Sequence, residues 1–176
     1  MKNTQIELGK EYNFAGYRWV PVRINKEDQV AVMQSLGVTA GPWPGFSMPL
    51  YGNGDFYDKD IFGEDISSYN EATEKLMEQI RPVAVDTVSG RGLYLASFKD
   101  IDSVEDIRNN SVWENALIKA ASSYKSFGIS NPILWLSTAG GKDCAWYINS
   151  YGDINYGTQY NDYVIAPAFN LDLTKI

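Results

Sequence analysis

Strand-like patterns lie at both ends of this chain of 176 residues, and two helices with clear start signals lie between them. Residues 17–24 alternate large apolar and other residues at a period of two, which predicts a strand. Pro21 places that strand at a sheet edge or at a bulge. Residues 30–33 fit a third strand or a short helix, and the β pattern returns from Ile133 onward. This arrangement predicts one α+β domain covering residues 1–176.

Both helices are predicted from their capping signals. Residues 68–71, with the sequence Ser-Tyr-Asn-Glu, form a capping box, and apolar residues then recur at helical spacing until Pro82 ends the helix. The second helix begins with a similar box at 111–114, and Gly128 lies beyond its end. Between the helices, residues 93–96 are predicted to form a buried strand.

Composition disfavours several classes of function. The chain has no histidine, which removes Ser-His-Asp triads, Cys-His dyads and histidine-ligated metals. Its one cysteine, Cys144, can form neither an internal disulfide nor a cysteine-rich zinc site. A formal charge of −7 disfavours contacts with nucleic-acid phosphates. We therefore expect no catalytic residue, no cofactor, no metal site and no nucleic-acid partner.

Two further features bear on location and on cations. No apolar run reaches the roughly 18 residues of a membrane span, and the N-terminus has no apolar signal-peptide core. We therefore expect a chain without a membrane span that stays where it is made or leaves as part of a larger particle. The acidic loop with Asp55, Asp58 and Asp60 lacks the glycine and the closing glutamate of a calcium loop. A solvated loop is the preferred interpretation, and cation binding there stays open.

The segment from Cys144 to Phe169 carries the clearest functional signal. Between its ends it has no Lys, Arg or Glu, and its only charges are Asp153 and Asp162. Five of the 12 tyrosines lie in it, among Asn, Ser, Gly and Thr. Tyrosine offers a large rigid contact at low entropic cost and small polar residues adapt their hydrogen bonds, so this composition is typical of an antibody-like binding surface. The alternative is that Tyr and Asn are enriched only because strands and turns favour them.

Three runs in this region resemble the C-terminal domain of C-type-lectin-fold variable proteins. The runs are 135–139 (WLSTA), 145–150 (AWYINS) followed by Gly152, and 166–171 (APAFNL). Such proteins are the diversified targets of diversity-generating retroelements in bacteria and phages, and their fold is related to that of the formylglycine-generating enzyme. The resemblance is best over residues 133–173. It implies a C-type lectin-like fold with a small mixed or antiparallel sheet, two framing helices and long irregular loops.

The resemblance also implies which positions vary, within a segment of about residues 143–165. In such proteins, mutation at adenines converts Asn-type codons to codons for Tyr, Asp, Ser, Cys and Gly. The implied scaffold residues are Trp135, Trp146, Ile148, Ile154 and Phe169, with Ala145, Ser150 and Gly152 also fixed. The implied variable, ligand-binding positions are Asp143, Cys144, Tyr147, Asn149, Tyr151, Asp153, Asn155, Tyr156, Gly157, Tyr160, Asn161 and Tyr163.

From the composition and the resemblance together we expect a ligand-binding protein of receptor or adhesin type from a phage or a bacterium. Its partner would be an unidentified macromolecule, with a protein favoured over a glycan, and its oligomeric state stays open. Enzymatic activity is not expected, because the catalytic cysteine pair of the formylglycine-generating relatives is missing. Two alternatives remain, namely a structural or tail-associated phage subunit that uses this face for assembly, and a carboxylate-based enzyme.

Overall fold

A computed structural model describes residues 5–38, 47–48, 66–67, 71–86, 92–101, 110–127, 130–139, 144–158 and 163–176. In this part the chain is a mixed α+β fold with two sheets and two helices of ten or more residues. The prediction of an α+β fold is thus confirmed. The acidic loop at 55–60, the capping residues 68–70 and Gly128 lie outside the described residues.

The order of the elements matches the sequence pattern, with most strands towards the two ends of the chain and the helices between them. The helices are α1 (Glu71–Ile80), α2 (Phe98–Ile101) and α3 (Asn110–Ser123), and α3 continues into a 3-10 turn, Tyr124–Phe127. The strands are β1 (Tyr12–Phe14), β2 (Tyr17–Asn25), β3 (Val30–Val38), β4 (Ser47–Met48), β5 (Ile133–Ala139), β6 (Cys144–Asn149), β7 (Ile154–Thr158), β8 (Tyr163–Val164) and β9 (Ala168–Asp172).

The first sheet has the antiparallel order β1-β2-β3-β9, so the last strand of the chain pairs with the N-terminal strands. The register of β2 against β3 shifts between Pro21 and Arg23. Pro21 therefore lies at a bulge, one of the two positions that its missing N–H allows. Residues 30–33 belong to β3, so the strand interpretation holds and the short helix does not occur.

The second sheet has the order β4-β8-β5-β6-β7. Its pairs are antiparallel except for β5 with β8, which are parallel, so this sheet is mixed. Strand β7 is the outermost strand on one side. The sheet therefore carries the hairpin β6–β7 at its border, and that hairpin holds most of the tyrosine-rich segment.

The prediction of a strand at 93–96 is wrong. The segment is buried, but only Tyr94 forms a β-bridge, with Ala168 of the first sheet. Two residues later, the Ala96 carbonyl accepts a hydrogen bond from the Ser137 amide of β5 at 2.9 Å. The segment crosses from one sheet to the other instead of running along either, which explains why it is apolar and extended without being a strand.

Apolar residues of both sheets and of the helices form one buried core, in which the rings of Trp19 and Phe169 meet edge to face at 4.8 Å. A polar connection runs through it at Gln34, which has no exposed surface. Its Nε2 donates to the Ala166 carbonyl at 2.8 Å, and its Oε1 accepts from the indole nitrogen of Trp113 at 3.0 Å. One amide thus joins β3, α3 and the segment that leads into β9.

Candidate functional site

The hairpin β6–β7 presents two faces with different surroundings. In an antiparallel pair, residues directly opposite each other place their side chains on the same face. Tyr147 pairs with Asn155, and Ala145 pairs with Gly157, so these four residues define the Tyr147 face. Trp146 pairs with Tyr156, Ile148 with Ile154 and Cys144 with Thr158, and these six residues define the Ile148 face. Tyr147 and Tyr156 therefore lie on opposite sides of the sheet.

The Ile148 face is buried at its centre and open at its border. Ile148 is fully buried, whereas Trp146 and Ile154 are half-buried. Tyr156 keeps 52% of its surface exposed, and its ring meets that of Trp146 at 5.4 Å in a T-shaped arrangement. Trp146 therefore packs beside Tyr156 on the same face of the hairpin.

The Tyr147 face carries a cluster of three rings. Trp135 of β5 is 2% exposed and lies 4.6 Å from the ring of Tyr163, which in turn lies 5.4 Å from the ring of Tyr147. Burial raises the pKa of the Tyr163 phenol, and the neighbouring Tyr147 raises it further. A Cβ at Gly157 would lie 3.4 Å from Tyr147 and 3.5 Å from Tyr163, which are ordinary van der Waals distances, so Gly157 lies directly beside both rings. Both tyrosines are half-buried and expose only part of each ring.

The loop of the hairpin is fixed by its own polar side chains. Oδ1 of Asn149 accepts from the amides of Tyr151 at 2.9 Å and of Asp153 at 3.0 Å. Nδ2 of Asn149 also donates to the Asp153 carboxylate at 3.3 Å. Tyr151 at the tip is 70% exposed, and Nζ of Lys125 lies 4.6 Å from the centre of its ring. The most exposed tyrosine of this surface is therefore held on an ordered loop.

Replacing Gly152 with alanine should lower the free energy of unfolding by about 1–2 kcal/mol, the cost of the left-handed region for a residue with a Cβ. Gly152 has φ +85°, and a Cβ there would lie 3.1 Å from Cδ1 of Ile118 on α3. Urea unfolding measures the change. Gly157→Ala is the matched control, because its Cβ meets only ordinary contacts, and it should shift stability by less than about 1 kcal/mol. Equal losses for the two variants would contradict the role given to Gly152.

The twelve positions implied by the sequence differ in exposure. Tyr151, Asp153, Asn155 and Tyr156 are exposed, and Cys144, Tyr147, Asn149, Gly157 and Tyr163 are half-buried. Asp143, Tyr160 and Asn161 lie outside the described residues. Of the five scaffold residues, Trp135, Ile148 and Phe169 are buried, and Trp146 and Ile154 are half-buried.

The exposed members follow the loop and β7, the border strand, where the two faces of the sheet meet. Two residues of this surface are not among the implied variable positions. Thr158 continues it at the end of β7, and Lys125 reaches Tyr151 from the turn after α3. The position of Lys125 depends on tertiary packing and leaves no local signal in the sequence.

An open groove of about 430 Å³ lies between the N-terminal segment and α3, and one of its lining residues, Ile118, also lies beside Gly152 of the hairpin loop. Its lining includes Val20, Val112 and Lys119, and no carboxylate is among its lining residues in the part of the chain that the structure describes. Within that part, no three Cys, Asp or Glu residues are grouped as a metal site, and no helix has the length and apolar character needed to cross a membrane.

The hairpin therefore has exposed aromatic rings, a loop held by the hydrogen bonds of Asn149, and buried residues that attach it to the core. Its described part, residues 144–158, carries one charged side chain, that of Asp153. Such a surface can bind a partner through aromatic and amide contacts. Comparison of the chain with protein-family models, with curated proteins and with solved structures found no match.

Proposed function

We propose that this chain is a ligand-binding protein of receptor or adhesin type, with a C-type lectin-like fold and a diversified binding surface on its C-terminal hairpin. One observation carries the proposal, namely that Tyr151 and Tyr156 expose 70% and 52% of their surface on a hairpin whose Ala145 and Ile148 are fully buried. Large aromatic side chains held on a rigid support are the usual anchors of a binding surface.

A protein surface is the partner that this chemistry favours. The centre of a protein interface is depleted in charged residues and enriched in tyrosine, because charges are costly to remove from water. Residues 144–158 hold Asp153 as their one charge, and its carboxylate already accepts from Asn149. The same residues offer main-chain and amide groups that can adapt to a partner's hydrogen bonds.

Diversification would act on a surface whose positions tolerate change to different degrees. Exposed positions such as Tyr151, Asn155 and Tyr156 can exchange side chains without opening the core. Asn149 is different, because its side chain accepts hydrogen bonds from two main-chain amides of the loop. Among functional variants we therefore expect Asn149 to be replaced mainly by Asp or Ser, which keep an acceptor at that place.

The DNA around the gene tests the proposal. We expect a near-copy of the stretch that encodes about Cys144 to Phe169, differing from it only at adenines, beside a reading frame for a reverse transcriptase. Sequencing the gene from many isolates should then show substitutions concentrated at codons 143–163. Neighbouring DNA without such a copy, together with substitutions spread evenly over the gene, would contradict diversification.

Replacing Tyr151 with alanine should cost about 1 kcal/mol or less, because its ring is largely exposed and the contact that it gives up with Lys125 lies at the surface. Replacing Tyr163, whose ring packs on Trp135, should cost about 2 kcal/mol, a part of the loss seen for fully buried aromatic residues. Urea unfolding of the two variants measures the difference. A loss of 2 kcal/mol or more for Tyr151→Ala (about the Tyr163 value) would mean that this tyrosine serves the fold rather than binding.

A further inference from the structure

The outer edge of β7 carries main-chain groups that β6 does not use. The Asn149 amide donates to the Asp153 carbonyl at 3.0 Å, which marks this pair as hydrogen-bonded. Hydrogen-bonded and non-hydrogen-bonded pairs alternate along an antiparallel ladder. Trp146 and Tyr156 therefore form a non-hydrogen-bonded pair. The main-chain N–H and C=O of Tyr156 point away from β6. In the described part of the chain no strand pairs with that edge.

Border strands are usually protected against pairing with another chain by Lys, Pro, bulges or a covering segment. The outer edge of β9 is covered, since Ala84 and Tyr94 form bridges with it. Strand β7, with the sequence Ile-Asn-Tyr-Gly-Thr, has no charged residue, no proline and no register shift against β6. Among the residues that the structure describes, β7 is by these criteria a template for strand pairing.

One side chain does occupy the centre of this edge. Oδ1 of Asn155 accepts the amide of Tyr156 at 2.8 Å. That amide is the donor that a strand added at this edge would need first. An incoming strand therefore has to displace the Asn155 side chain before it can pair.

We propose that the outer edge of β7 is a strand-pairing surface for a second copy of this chain, and that the Asn155 side chain keeps it closed. Antiparallel pairing about a two-fold axis at Tyr156 sets Tyr156 opposite Tyr156 of the second copy, and Ile154 opposite Thr158. No charged residue of β7 then faces another, so the pairing is self-complementary. The two Tyr156 rings meet on the Ile148 face beside Trp146 and cover the exposed half of Tyr156.

The test removes the acceptor at position 155. Asn155→Val should self-associate at least about tenfold more tightly than the wild-type chain in sedimentation velocity over a range of concentrations, the effect of about 1.4 kcal/mol. Asn155→Ala removes the same acceptor while adding little apolar surface, and should change association in the same direction. Hydrogen exchange of the Tyr156 amide should slow in the associated form, because that amide then donates to the second copy.

Two controls distinguish pairing at the β7 edge from nonspecific association. Asn13→Val makes the same substitution at an exposed position of β1, a border strand of the other sheet, and should leave association unchanged. Adding Tyr156→Lys to Asn155→Val should restore the monomer, because two ammonium groups would face each other. The proposal is overturned if Asn155→Val and Asn155→Ala associate no more than wild type, if Asn13→Val associates equally, or if the Tyr156 amide stays unprotected. None of these results depends on whether the surface is diversified, which the neighbouring DNA decides separately.

Discussion

Replacing Trp135 with alanine is expected to lower the free energy of unfolding by about 3–5 kcal/mol, the range for a buried tryptophan. Trp135 is 2% exposed, and Tyr163 packs on its ring at 4.6 Å. It also pairs with Tyr147 across β5 and β6. Loss of the indole leaves a cavity beneath both tyrosines, so the whole Tyr147 face loses its support. Thermal unfolding should show a midpoint about 6–20 °C lower.

Trp135→Phe provides the matched control, since it keeps an aromatic ring under Tyr163 while removing less volume. We expect it to cost about 1–2 kcal/mol, in the lower part of the range for large-to-small changes in a core. Hydrogen exchange of the β6 and β7 amides should quicken in the alanine variant and change little in the phenylalanine variant. Similar small losses for both would mean that Tyr147 and Tyr163 hold their places without Trp135.

The elements that could be predicted are those with local signals. The capping signal at 111–114 predicts the start of α3 to within one residue of Asn110, but Ser111 lies inside the helix, so the prediction that it is the N-cap is wrong. The β pattern that returns from Ile133 onward covers both strands of the hairpin. The segment 93–96 has the same apolar composition as a strand, but its bonds go to two different sheets. Those partners are 74 and 41 residues away (Tyr94 to Ala168 and Ala96 to Ser137), and nothing local identifies them.

The composition of the proposed binding surface is predictable from the sequence, and its arrangement is not. Tyrosine among small polar residues points to exposure, and Tyr151 and Tyr156 are exposed, whereas Tyr147 and Tyr163 are half-buried beside Trp135. Which face each tyrosine occupies depends on the length of the loop, since a shift of one residue in register moves a side chain to the other face. The register that pairs Trp146 with Tyr156 is set by the bonds of Asn149 within the loop, which a sequence pattern does not reveal.

Replacing Gln34 with methionine should destabilise the fold by about 2–4 kcal/mol, although the two side chains have nearly the same length. The amide of Gln34 satisfies the Ala166 carbonyl and the indole N–H of Trp113 at once. Methionine fills the space but leaves both groups buried without that partner, and each such loss costs about 1–3 kcal/mol. Urea unfolding, analysed with one m-value for both proteins, measures the change in the free energy of unfolding.

A double-mutant cycle with Trp113→Phe isolates the cause. Phenylalanine keeps a ring at this position and lacks the indole N–H. In its presence Gln34→Met therefore no longer leaves a buried donor without its acceptor. We expect the cost of Gln34→Met to fall by about 1–2 kcal/mol in the Trp113→Phe background, a coupling typical of residues that share a hydrogen bond. Strict additivity would mean that the bond between Oε1 of Gln34 and the indole contributes nothing. The loss would then arise at the carbonyls of Ala166 and Ser35, to which Nε2 of Gln34 donates.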